Sequence, residues 1–236
     1  QTMTSSDHLE TLAQALEATG DYRVIRRLKP RPRIVPPPGT PLRLGLVVDV
    51  ETTGLDPQRD EIIELAMTPF NYGLDGTIFS VGDSFQGLRQ PSKPIAPEIT
   101  AITGITNEMV AGQIVDPAAV ASFAAPASLV IAHNAAFDMR FLELKEAKLG
   151  IRFDQPVLDT LLLAYFLFPN QDSNRLEALA ERFGIRILGR HTALGDAIVT
   201  AEAFVKMIPL LEERGVRTLK AAREAAQQTY LAKLRY

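Results

Sequence analysis

Asp49 and Glu51 stand two residues apart where an apolar run, LGLVVDV, gives way to ETTG. On a strand, side chains two apart share a face, so both carboxylates project to the same side. Two like charges at the end of a buried strand raise each other's pKa or require a cation. Alone, the pair reads more simply as one acid turned outward to a Thr hydroxyl or a backbone N–H. Asp138 closes the segment AHNAAFD, after a second apolar run and in the first turn of a helical pattern. A carboxylate there also suits the helix dipole. His191 and Asp196 frame HTALGD, where Asp196 opens a late helical stretch and His191 precedes it in a loop.

Taken together, these pieces supply four carboxylates and one imidazole. Hard oxygen ligands select Mg²⁺ or Mn²⁺. Two such ions about 3.5–4 Å apart activate water and stabilise a leaving oxygen in phosphodiester hydrolysis. A neutral imidazole beside that water serves as general base. Histidine is scarce, with only His8, His133 and His191 to choose from.

DVETTG, HNAAFD and HTALGD resemble, in order and spacing, the three motifs of the DEDDh 3′–5′ exonuclease family. The group around the proofreading subunit of bacterial DNA polymerase III is similar, and ITAITGITNEMV and the Asp159-Thr160 pair add to the likeness over about residues 44–212. The resemblance implies a ribonuclease-H-like α/β fold and release of nucleoside 5′-monophosphates from DNA 3′ ends in proofreading or repair. It implies two divalent cations, with Asp49 bridging both, Glu51 and Asp196 completing one site and Asp138 holding the second ion through water. His191 would deprotonate the attacking water; histidine five residues before the last Asp marks the DEDDh branch. Leu55 matches the residue wedged against the terminal bases, and Thr52 and Thr53 the segment around the 3′ nucleotide. Asn134 and Phe137 fit the same pocket or serve as helix entry and core, and His133 orients the loop. Thr103 stands where relatives often carry His, which alters the contacts to the substrate end. The implied partners are single-stranded or frayed DNA 3′ ends, with RNA as the alternative substrate, and a polymerase or replication protein. A rival reading is a nucleic-acid-binding adaptor without catalysis, against which the complete five-residue set argues.

The elements that must position these residues follow from periodicity. Strands are expected at 44–50, 61–70, 76–85, 128–132 and 157–160, with the first three forming an antiparallel meander. Helices are expected at 106–111, 117–124, 135–148, 161–168, 175–183, 194–214 and 219–234. A meander followed by alternating strands and helices predicts an α/β fold with a mixed sheet. Before it, residues 6–18 read as a short helix, 22–28 as a short strand, and 29–39 as a proline-rich linker. The expected division is therefore 1–40, an exonuclease domain over 41–214, and a basic helix over 215–236.

The chain has 236 residues, enough to bury one substantial core. It contains no cysteine, which excludes disulfides, thiolate metal sites and thiol nucleophiles. No apolar run is long enough to cross a membrane, and no signal-like start is present, so the expected compartment is the cytoplasm. The net charge of −3 conceals an asymmetry. Residues 46–236 are acidic, which suits a polyanionic substrate only through metal ions. Six basic residues between Arg23 and Arg33 read as solvated surface or as a phosphate-steering arm.

Overall fold

The computed structural model describes residues 11–12, 15–16, 18–19, 34–74, 77–142, 153–185 and 193–234. Its strands are β1 (Arg43–Thr52), β2 (Ile62–Tyr72), β3 (Ile78–Val81), β4 (Phe85–Leu88), β5 (Leu129–Ala132) and β6 (Val157–Asp159). Its helices are α1 (Pro97–Thr103), α2 (Asn107–Val110), α3 (Pro117–Ala124), α4 (Ala135–Phe141), α5 (Thr160–Leu167), α6 (Leu176–Phe183), α7 (Ala193–Glu213) and α8 (Leu219–Lys233). The strands form one sheet in the order β3-β2-β1-β5-β6, with β4 also on β2. β1, β2, β3 and β4 pair antiparallel, whereas β1–β5 and β5–β6 are parallel. This is the mixed α/β sheet that the sequence pattern predicts.

β1 is central, and its alternation sorts the core onto two faces. Val47 joins Phe70, Tyr72, Leu158, Leu163, Phe204 and Met207 beneath α5, α7 and α8. Leu46, Val48 and Val50 join Val120 and Phe141 beneath α3 and α4. Each such buried side chain contributes about 1.5–3 kcal/mol relative to exposure. Ala222 and Ala226 of α8 belong to the first cluster, so the last helix is packed into the same core as the sheet.

Three differences from the sequence pattern have physical causes. The expected strand 76–85 is two strands, β3 on the far end of β2 and β4 on its near end. The break faces Pro69, which has no N–H to give a ladder; its carbonyl accepts the Gly82 N–H instead, at 2.8 Å. α1 was not among the expected helices, although Pro97 in its first turn and Gly104 at φ 76° past its end are the standard boundary signals. At the third place, Thr160 begins α5 instead of ending β6, because Asp159 caps the helix. Of the helix expected over 135–148, residues 143–148 lie outside the described residues, as does the strand expected at 22–28. In the expected N-terminal helix, Thr11, Leu12, Ala15, Leu16 and Ala18 are helical.

Gly45 permits the aromatic core: a Cβ there would lie 2.5 Å from the Phe70 ring, which is fully buried and packs against Tyr72 and Phe204. Gly45→Ala should therefore destabilise the fold by about 1–3 kcal/mol, the range for overpacking. Phe70→Leu in the same chain should recover part of that loss. Urea unfolding of the two variants checks the expectation, and a Gly45→Ala protein as stable as the parent would contradict it.

Candidate active site

β1 outruns its parallel neighbour. Pairing with β5 covers only Gly45 to Val47, whereas pairing with β2 continues to Thr52. Past Val47, β1 no longer pairs with β5. Asp138 of α4 lies beside this stretch and accepts the Val50 N–H on Oδ1 at 3.1 Å. The α4 side chain is 4% exposed, so this bond joins helix and strand in a nearly dry setting.

The turn that delivers Asp138 is tightly held. Asn134 sits in the left-handed region at φ 71°, a conformation asparagine tolerates better than most residues. Asp159 Oδ1 accepts the Asn134 N–H at 3.1 Å and caps α5 through Leu161 and Leu162, at 2.8 and 3.3 Å. His133 Nδ1 and Thr160 Oγ1 lie 2.9 Å apart, and Thr160 donates to the Ala132 carbonyl at 3.3 Å. With Thr160's proton so placed, its oxygen accepts from His133 Nδ1–H. His133 therefore fixes the β5–α4 turn.

On the opposite face of the sheet, Asp49 and Glu51 follow Val47 at alternate positions, and α7 brings Asp196 in its first turn. Glu51 is directly opposite Glu64 in the β1–β2 ladder, just before a bulge. Glu64 is buried, and the Gln86 side-chain amide donates to its carboxylate. Burial pushes the Asp49 carboxyl well above the usual range, and Asp138, Glu51, Asp196 and Glu64 push it further the same way. Asp138 is also raised well above that range by burial, with Asp159 and Glu51 adding to the effect and the Val50 N–H working against it. Asp159 is raised by burial in spite of its backbone hydrogen bonds.

The carboxylates thus supply hard oxygen donors and an excess of negative charge, which fits divalent cations. Among the described residues, no three Asp, Glu or His side chains are already close enough to clasp one ion. Their repulsion opposes such closure until positive charge is present.

The substrate-side residues are placed unequally. Leu55 is 84% exposed at the tip of the loop after β1. The Thr52 hydroxyl donates to the Gly54 carbonyl at 2.6 Å, and Thr53 bonds within the same loop. Phe137 packs on Phe141, with ring centroids 4.9 Å apart, and so belongs partly to the core. Asn134 is exposed. Thr103 is buried, its hydroxyl donating to the Ile99 carbonyl and accepting the Ile105 N–H, at 2.9 and 3.1 Å. Its hydroxyl closes the end of α1. His191 lies outside the described residues. Sequence reasoning passed over Glu64, although a carboxylate inside the apolar run IIELAM was the signal that marks it. It also passed over Asp60 in the loop between β1 and β2.

The profile of the exonuclease family matches residues 46–204. A DNA polymerase III subunit epsilon-like protein of Rhodobacter capsulatus is 42% identical over 193 residues, 77% of this chain and 26% of its own length. The PolC-type DNA polymerase III of Bacillus subtilis is 35% identical over 176 residues, 73% of this chain and 12% of its own. The chain therefore spans about a quarter or less of these relatives. Among solved structures, Exonuclease X in complex with 5′ overhanging duplex DNA superposes with a TM-score of 0.59 at 26% identity, covering 77% of this chain and 99% of that one. The nuclease domain of 3′hExo, a DEDDh family member bound to rAMP, gives 0.57 at 18% identity, covering 70% and 92%, and shares the fold. The ribonuclease-H-like architecture expected from the motifs is the one found.

The raised Asp49 pKa has a stability consequence. Its carboxyl holds a proton more tightly in the folded than in the unfolded chain, so its ionised form opposes folding. The penalty is complete above the raised pKa and fades as pH falls towards the usual carboxylate range. Metal-free Asp49→Asn protein should therefore melt above the parent at pH 8, by about 2–4 °C per kcal/mol relieved, with a narrower gap at pH 5. Thermal melts in EDTA at both values test this. A variant less stable than the parent at pH 8 would refute the repulsion argument.

Proposed function

Because the chain belongs to the exonuclease family, we propose that it is a metal-dependent 3′–5′ exonuclease that hydrolyses DNA 3′ ends to nucleoside 5′-monophosphates. The observation that carries this reading is the convergence of charge on Asp49 from Glu51, Asp138 and Asp196. Asp49, Glu51 and Asp196 would hold one Mg²⁺ or Mn²⁺ ion, and Asp49 with Asp138 a second. Such ions, when bound, supply an activated water and charge stabilisation of the leaving oxygen.

The chain's own residues do the rest. His191 takes the proton of the attacking water. Leu55 lies against the terminal base, and Asn134 and Phe137 border the terminal nucleotide. His133 and Asp159 hold the turn that aims Asp138. Residues 41–214 form the exonuclease domain, and the basic residues between Arg23 and Arg33 steer the phosphate backbone towards an otherwise acidic body. The polymerase III relatives support a role beside a replicative polymerase, in the cytoplasm. No described helix is long and apolar enough to cross a membrane.

Incubation of 5′-labelled single-stranded DNA with Mn²⁺ or Mg²⁺ should give a ladder shortening from the 3′ end, with mononucleotides as products. EDTA should abolish it, and a 3′-phosphate should block it by adding bulk and charge where the terminal sugar fits. Robust cleavage in excess EDTA, or of a circular strand, would overturn the reading, and an RNA strand run in parallel reads out the sugar preference.

His191→Ala should retain metal-induced stabilisation and DNA binding while its turnover falls about 10²–10⁴-fold, the range for a positioned general base. His133→Ala should lose less, since its ring holds a turn. Single-turnover rates for both variants decide the assignment, and near-parental turnover of His191→Ala would remove His191 from it.

A further inference from the structure

The loop between β1 and β2 is built around one carboxylate that the sequence motifs do not include. Asp60 Oδ1 accepts the Thr53 hydroxyl at 3.3 Å, and Oδ2 accepts the Asp56 N–H at 2.9 Å. Its own N–H donates to the Asp56 carbonyl at 2.7 Å. Thr53 closes the loop from the other side. Its N–H donates to the Glu61 carbonyl at 2.9 Å, and its Oγ1 accepts the Glu61 N–H at 3.0 Å. A Cβ on Gly54 would meet three atoms of the Asp60 carboxyl group at 2.4–2.7 Å. The space that a side chain at 54 would need is therefore occupied by this carboxylate.

Leu55 comes next, and it is 84% exposed. A flexible loop would let such a side chain fold back onto apolar surface. Here the residues on either side are tied down: Gly54 against the Asp60 carboxyl, and Asp56 through two bonds to Asp60. The Thr53 hydroxyl is engaged as both donor and acceptor within the loop, so it holds the loop and is not available to a nucleotide.

We propose that Asp60 is a positioning residue that presents Leu55 to the terminal base and thereby sets affinity for the DNA end. This rests on the exonuclease reading above. Pre-organisation spares the substrate the cost of ordering the loop, so its loss weakens binding more than it slows chemistry.

Two readouts test the proposal on the full chain. The first does not depend on hydrolysis. The chain has no tryptophan, so Leu55→Trp supplies a single reporter at the loop tip. Adding Asp60→Asn should lower the reporter's fluorescence anisotropy without moving the thermal melt by more than a few degrees. The second is steady-state kinetics on a single strand with an ordinary 3′-terminal nucleotide and on the same strand with an abasic one. Asp60→Ala should raise KM by about 10-fold on the ordinary end and leave kcat within about twofold. In the Leu55→Ala background it should add less than about twofold, because coupled residues are not additive. On the abasic end the parent and Asp60→Ala should converge. If Asp60→Ala fails to fold, the isosteric Asp60→Asn, which keeps one acceptor oxygen, should show the same pattern at smaller amplitude. An unchanged anisotropy overturns the proposal even if the parent chain proves inactive. Additive losses, or an equal loss on the abasic end, overturn it while leaving the exonuclease reading in place. A parent chain that does not shorten 3′ ends at all overturns that reading instead.

Discussion

The Val50 N–H and the Asp138 carboxylate meet where β1 has left β5 behind, and the candidate site is arranged around that contact. A buried strand edge that has lost its neighbouring strand needs a partner for its N–H. A carboxylate in the same place needs donors, since burial disfavours its charge. The bond answers both needs and couples α4 to the central strand. It also sets where the acids meet. Asp138 approaches over the face that carries Val48 and Val50, while Asp49 and Glu51 project from the other face towards α7 and Asp196. At the end of β1, acids from the strand itself, from α4 and from α7 come together.

That arrangement carries an electrostatic cost, and the structure offsets only part of it. Asp138 has its backbone donor, Glu64 has the Gln86 amide, and Asp159 has three N–H groups. Asp49 is raised by burial and by four neighbouring acids, and it is the residue the metal reading places between both ions. Local hydrogen bonds offset part of the repulsion at Asp138, Glu64 and Asp159, and on the proposed reading a cation would offset the rest. The fold supplies enough core on both faces to support this, with Phe70, Met67, Ile131 and Phe141 all fully buried close by in the sheet and its covering helices.

Much of this was legible in the sequence because the signals were local. The apolar run before Asp49, the turn at His133-Asn134 and the Asp196 helix start each depend on a few neighbouring residues, and each lies where the periodicity put it. The misreadings share a different cause. The run 76–85 has strand composition throughout, but it breaks because of Pro69 on another strand, a partner that no window around residue 82 contains. Glu64 reads as one polar residue in a buried strand until the ladder sets it opposite Glu51. The bonds of the Thr103 hydroxyl to Ile99 and Ile105 are likewise visible only in the fold. α1 is the exception, since its proline and glycine boundaries were there to be read.

The two halves of the site therefore differ in how they are prepared. The loop that carries Leu55 is complete as it stands: its carboxylate, Asp60, is satisfied by the Thr53 hydroxyl and the Asp56 N–H, and Gly54 makes room for it. The carboxylates around Asp49 hold each other off. A loop held by its own hydrogen bonds thus stands beside acids that raise one another's pKa. On the proposed exonuclease reading, a strand end would dock on that loop and bound cations would offset the repulsion among the acids. Asp49 and Glu51 lie on the same strand that leads directly into that loop, so the register of β1 against β2 ties the docking surface to the acids. A slip of one residue there would turn both carboxylates to the opposite face and carry the loop with them. The long pairing of β1 with β2, continuing where β5 has stopped, is what prevents it.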